Sequence, residues 1–320
     1  MKKIFTALAL GAAIAASAPA FAWPDHAVTI VVPFPPGGST DTLARSLTPS
    51  LQRQLGQSFV VDNKAGATGT IGANHVARAA PDGYTLMVTS LGPLVIAPHL
   101  LKSVPYDAGK DFDLLTVAVQ APNVLVVPAA SPYKTVGDLV KAAKEAPRSL
   151  TFASSGVGSS DHLTAELFWQ QSGSTGLHVP YKGGAPAIQD LLGSQVTASF
   201  QNINAVLPHI RSGKLRALAI TSLKRSSLLP DVPTLDETGV KNADVYSWQA
   251  VVAPRNLPAD IKNKLHAALV KAINEPEVRQ RFVDVGFEIV ANTPEEFAAF
   301  QQRESDRWKQ IIQQRKIGAD

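Results

Sequence analysis

The chain has 320 residues, no cysteine and a formal charge of +4, so disulfides are excluded and stability must come from buried apolar area. Its Lys and Arg residues are scattered among acids, with no basic stripe interleaved with aromatics, which argues against a nucleic-acid partner. A length of this order exceeds what one hydrophobic core usually organises, and two cores are expected.

Lys2 and Lys3 precede an apolar run from Ile4 to Ala16 and then Ala20-Phe21-Ala22. These are the three zones of a secretory signal peptide, with cleavage expected after Ala22. The run is shorter than the roughly 20 residues a membrane-spanning helix needs. Beyond it, short runs rich in Val and Ile alternate with longer segments of helical period, so the fold class is α/β with a mainly parallel sheet. Strands are expected at Val28 to Pro33, Phe59 to Asp62, Thr85 to Thr89, Leu114 to Val119 and Val124 to Val127. Further strands follow at Leu150 to Ser154, His178 to Tyr181, Val196 to Phe200, Arg216 to Thr221 and Gln249 to Ala253. Apolar spacing and stop residues predict helices over Asp41 to Leu55, Val136 to Ala146, Asp161 to Gln171, Ile188 to Leu192, Ala259 to Asn274 and Pro294 to Gln314. The last of these, charged and long, is expected to wrap the outside of a lobe.

The first strand runs into Pro33-Phe34-Pro35-Pro36-Gly37-Gly38-Ser39-Thr40-Asp41. Prolines stiffen such a loop, and glycines let a ligand approach the amides at the start of a helix. A helix amino-terminus holds an anion without any arginine; the same residues also suit a tight βα turn capped by Ser39 or Thr40. Val179-Pro180-Tyr181 followed by Gly183-Gly184-Ala185 echoes this segment and suggests a second, similar jaw, with Lys182 beside it. Another glycine turn, Ser154 to His162, joins a strand to a helix. It lacks the third glycine of a dinucleotide fingerprint and no Walker lysine follows it, so nucleotide binding is not expected. Ser159 or Ser160 with Asp161 and His162 invites a hydrolase reading, but neighbours on a helix diverge by about 100° each, and no Gly-x-Ser-x-Gly elbow is present. The histidines, at His26, His75, His99, His162, His178, His209 and His266, do not fall at zinc-ligand spacing. No cofactor and no metal are implied. Tyr246 and Trp248 suit either a core or a stacking surface for a flat ligand.

Taken together, VVPFPPGGSTDTLAR (31–45), AGATGTIGANHVARAAPDGYTLM (65–87), PYD (105–107) with KDF (110–112), VPYKGGAPAIQDLLGSQV (179–196), LPHIRSGKLRALAITSLKRSSLLPDVPT (207–234) and TPEEF (293–297) resemble the Bug family. These are solute-binding proteins associated with tripartite tricarboxylate transporters. The resemblance runs from Trp23 nearly to the carboxy-terminus. It implies a two-lobed periplasmic binding protein type II fold with two crossing strands as hinge, and lobes of 23–122 with 247–320 and of 123–246. It implies capture of a small carboxylate for a membrane permease of such a transporter, a periplasmic location, no enzymatic activity and a monomer. Carried onto this sequence, the ligand contacts are Phe34, Gly37, Gly38, Ser39 and Asp41 from lobe one, and Ser155, Gly156, Lys182 and Gly183 from lobe two. Ser90, Asp161 and Trp248 complete the candidate set.

Two departures from the family pattern bear on the ligand. Ser90-Leu91-Gly92-Pro93-Leu94-Val95 stands where relatives carry a more polar run, which suggests an apolar wall and a ligand with one carboxylate and a hydrophobic body. Asp161, where serine is common, suggests an ammonium or hydroxyl on the ligand if it faces the cleft. Service to a membrane sensor kinase is the alternative to a permease, and a secreted serine hydrolase is the remote one.

Overall fold

The computed structural model describes residues 23–318; the signal-peptide expectation, on 1–22, lies outside the described residues. In chain order the elements are β1 (Val28–Val32), α1 (Ser39–Leu55), β2 (Phe59–Asn63), a 3₁₀ turn (Ala67–Gly69), α2 (Thr70–Ala77), β3 (Thr85–Ser90), a π-helical turn (Gly92–Ile96) and α3 (Ala97–Leu100). Next come β4 (Phe112–Pro128), α4 (Val136–Glu145), β5 (Thr151–Ser154), α5 (Ser160–Ser172), β6 (Leu177–Pro180), α6 (Gly184–Leu192), β7 (Ala198–Asn202), α7 (Ile203–Arg211) and β8 (Leu215–Ile220). The chain closes with β9 (Tyr246–Pro254), α8 (Ala259–Asn274), α9 (Pro276–Asp284), β10 (Glu288–Ile289) and α10 (Pro294–Arg315).

Two groups of strands share β4. In lobe one β2, β1 and β3 run parallel, and β9 joins β3 to β4 antiparallel. In lobe two β6, β5 and β7 run parallel, with β7 and β8 antiparallel to β4. The change of partner is abrupt: Pro122 still pairs with Tyr246, while Asn123 pairs with Asn202. Asn123, fully buried at this crossing, has its backbone and side chain held by Thr221, Thr164 and Asn202. The return crossing runs from the end of β8 to the start of β9, where the Thr221 hydroxyl donates to the Val245 carbonyl.

Every strand is apolar because both faces are covered, as parallel sheets between helices require. Val28, Ile30 and Val32 of β1 point into one cluster with Leu43, Leu47 and Leu51 of α1, and Val31 points into the other. Pro49 lacks the amide that would donate to Arg45 four residues earlier, and the Thr48 hydroxyl donates to that carbonyl instead, at 3.1 Å. Gly56, in the left-handed region at φ 76°, ends α1. Thr135 with Asp138, and Thr293 with Glu296, form capping boxes on α4 and α10.

The expected strands at Leu114 to Val119 and Val124 to Val127 are one continuous strand, β4, because Pro122 marks a change of partner and not a break. Helices α2, α3, α7 and α9 and strand β10 go beyond the sequence expectations; α7 carries an internal proline, Pro208, that hides its period. The carboxy-terminal helix does more than wrap one lobe. Its first half lies on lobe one, where Phe297 and Phe300 meet the Trp248 ring. Its last turn reaches α5 of lobe two, with Arg315 bonded to Glu166 at 2.9 Å and Gln314 to Gln170 at 2.9 Å.

Candidate functional site

In each lobe the parallel strands deliver their turns at one edge, the carboxyl ends of the strands, where open α/β sheets present ligand sites. Lobe one brings the turns after β1, β2 and β3 together around Phe34, whose ring lies against the positions of Gly69 and Gly92. Lobe two brings the turns after β5, β6 and β7. The Gly183 amide donates to the Ser155 carbonyl at 3.1 Å, which stitches the first two of these turns together.

The amino-terminus of α1 is open. Gly38 is its N-cap, with φ −79° and ψ 172°, and no side chain caps it. The first bond of the helix runs from Thr42 N–H to the Gly38 carbonyl, so the amides from Gly38 to Asp41 precede it. Gly37, at φ 86°, supplies the left-handed kink, and its amide is taken by Asp41 at 3.0 Å. No side chain caps α6 or α7 either, whereas Ser159 caps α5. Helices α1 and α7 face each other across the lobes: Asn204, on the first turn of α7, donates from Nδ2 to Ser39 Oγ at 3.0 Å.

Two buried carboxylates brace these turns. Asp41 accepts from the Gly37 amide, from Arg45 Nε and from Asn63 Nδ2. Burial pushes its carboxyl up, but Arg45, Gly37 and Asn63 outweigh that and hold it below the usual range. Asp161 accepts from the Ser155 amide and hydroxyl, both at 2.7 Å, from Gln201 Nε2 at 3.0 Å and from its own helix at the His162 amide. Burial raises its carboxyl, and these donors oppose the rise. Both oxygens of each acid face protein donors, so Asp41 and Asp161 hold turns in place, and the reading of Asp161 as a partner for a ligand ammonium is corrected.

The remaining candidates fall into place by burial. Phe34, Gly37, Gly38 and Ser39 lie at the open edge of lobe one, and Ser155, Gly156, Lys182 and Gly183 at that of lobe two; Lys182 is exposed. Ser90 ends β3 directly opposite Gln249 of β9. Trp248 is core: its side chain is fully buried, edge-on to Phe297 and Phe300, and its indole N–H donates to Glu304 at 3.2 Å. Alternation along β9 turns it away from the face that carries Gln249. Leu91, Leu94 and Val95 are buried in the core cluster under α10, so the apolar wall inferred from them is absent and the argument for a hydrophobic ligand body falls with it. The turn after β7, Asn202 to Asn204, was missed because it contains no glycine. The only signal for it was its place after a strand.

The serines of the hydrolase reading are engaged otherwise. Ser159 Oγ donates to the Gly156 carbonyl at 2.6 Å. The His162 ring accepts from the Gly158 amide at 3.1 Å and stacks on His178, with centroids 3.7 Å apart. Burial lowers the pKa of His162 to about 3 and that of His178 to about 4. Both are therefore neutral in the folded protein and become charged first in the unfolded chain. The stability this confers is complete above the unfolded value of 6.5 and is lost as pH falls toward about 4 and about 3. Denaturant unfolding at pH 7 and pH 5 should show the wild type losing about 2 kcal/mol through His162. His162→Asn, which keeps an acceptor for the Gly158 amide, should lose less. An equal pH dependence in the two proteins would contradict this.

Comparison with known proteins follows the same lines. Residues 43–317 match the family model described as the tripartite tricarboxylate transporter family receptor. The solved structure of periplasmic binding protein BugD is 35% identical, with TM-score 0.85, covering 93% of this chain and 100% of that one. An R. palustris protein solved with adipate is 34% identical, with TM-score 0.87, covering 92% of this chain and 99% of that one. MatC from Rhodopseudomonas palustris, solved with bound malate, is 34% identical, with TM-score 0.84, covering 91% of this chain and 100% of that one.

Proposed function

We propose, because the chain belongs to the family of tripartite tricarboxylate transporter receptors, that it captures a small carboxylate between its lobes and delivers it, chemically unchanged, to the membrane permease of such a transporter. The observation that carries this reading is the uncapped amino-terminus of α1 in lobe one meeting that of α7 in lobe two through the Asn204 to Ser39 bond. Two positive helix ends converge there with free amides, and a carboxylate is the group they suit. The relatives solved with adipate and malate support a carboxylate as the cargo.

In this account residues 23–122 with 247–320 form the first lobe, and 123–246 the second. Ligand settles on the turn of Gly37, Gly38 and Ser39, and the turns of Ser155, Gly156, Lys182 and Gly183 close over it, a population shift toward the closed form. The mature protein begins after Ala22, works in the periplasm and is a monomer. Small-angle scattering of refolded protein tests the mechanism: a bound dicarboxylate should contract the particle and be recovered intact after days. No contraction on binding, or consumption of the carboxylate, would contradict it.

A further inference from the structure

Beneath the amino-terminus of α1 lie two amide side chains with an unused, buried oxygen each. Gln249 is 1% exposed, and Asn204 bridges the lobes. Nε2 of Gln249 donates to Ser247 Oγ at 3.2 Å and Nδ2 of Asn204 donates to Ser39, but Oε1 of the first and Oδ1 of the second have no partner. An acceptor buried without a donor costs about 1 to 3 kcal/mol, so a protein that keeps two in one place has a use for them.

The strand ladders show that they share a place. Gln249 is paired with Ser90 on β3 and with Val119 on β4. Val119 belongs to the cluster formed by Val88, Val251 and the α1 residues Leu43 and Leu47. By the two-residue alternation of strands, Gln249 and Val251 point to that same face. Gln249 therefore lies on the α1 side of the sheet, one step nearer the cleft edge than Val251, while Asn204 is bonded to the first residue of α1. Free amides for an anion and two free carbonyl acceptors thus sit at one helix end.

Resting on the capture reading above, we infer that Gln249 and Asn204 recognise a hydrogen-bond donor carried by the ligand beside its carboxylate, and that this donor is a hydroxyl: the cargo class is the 2-hydroxycarboxylates. A ligand ammonium would need an anion at that point. The two buried acids of the cleft, Asp41 and Asp161, have their oxygens taken by protein donors and supply none. A site built around a hydroxyl discriminates strongly against the analogue without it, because the site's own groups are then left unpaired.

Calorimetry on matched pairs of increasing length tests this: propionate with lactate, succinate with malate, glutarate with 2-hydroxyglutarate, and adipate with 2-hydroxyadipate, together with aspartate and glutamate. The hydroxylated member of whichever pair binds should be at least tenfold tighter, and in Gln249→Met the ratio should fall toward 1. That substitution replaces an unpaired acceptor by an apolar group of similar shape, so the melting temperature of the ligand-free variant should not drop. An equal or reversed ratio in the wild type overturns the inference, as does a ratio unchanged in Gln249→Met or tightest binding by an amino acid. Binding by none of the carboxylates overturns the capture reading itself, which separates the two failures.

Discussion

Gly38→Val is expected to weaken carboxylate binding by about 100-fold, equivalent to ~2.7 kcal/mol, while the protein remains folded. The backbone at Gly38 has ordinary extended angles, and a Cβ there would meet only the Pro35 carbonyl oxygen, at 3.9 Å. The branched side chain therefore fits the fold, at a capping cost of no more than about 1 kcal/mol. It would occupy the space over the free amides of α1 that the carboxylate needs. The neighbouring Gly37 makes a poor probe, because its φ of 86° strains any side chain whatever the space around it. Calorimetry with any bound carboxylate, beside a melting curve, reads both effects. Unchanged affinity in a folded Gly38→Val would remove this turn from the site.

Gly158→Ala is expected to reduce affinity at least tenfold by a different route. Gly158 belongs to the lobe-two turn before α5, and a Cβ there would lie 2.5 Å from Leu100 Cδ2 and 3.2 Å from Ile96 Cγ2, both on lobe one. The lobes meet at this residue with no room for a methyl group, so alanine acts as a wedge against closure. Its φ of 78° adds strain of about 1 to 2 kcal/mol, but that strain burdens the open and closed forms alike. Leu100→Val removes the clashing methyl and should restore most of the affinity in the double variant, a coupling that a double-mutant cycle measures. Additive losses, or a loss of stability with affinity intact, would show that the contact persists in the open form and does not gate closure.

The βα alternation and the glycine turns were legible because each rests on local chemistry: β-branched runs covered on both faces, and glycines where backbone angles require them, as at Gly37 and Gly56. The union of two expected strands into β4 was not legible. Pro122 reads locally as a break, and its tolerance depends on a partner change visible only in three dimensions. Asp41 and Asp161 were identified as site residues by type, but whether a carboxylate faces the ligand or the turn behind it depends on donors such as Asn63 and Gln201, 22 and 40 residues away in sequence. Leu91, Leu94 and Val95 were misread for the mirror-image reason, since an apolar run after a strand faces cleft or core with equal ease. Asn204 and Gln249 lie in turns and strands without glycine, and only the ladder register and the bond to Ser39 bring them to α1.

The central claim, capture of a carboxylate at the opposed helix ends, is tested most directly by thermal denaturation of refolded, ligand-free protein against carboxylates and their amides. A ligand that binds the native state alone, at 100-fold excess over its Kd, adds about 2.7 kcal/mol, a rise of about 5 °C for a chain of this size. The account predicts such a rise with at least one carboxylate and none with the corresponding amide. No rise with any carboxylate, or an equal rise with the amide, would contradict it.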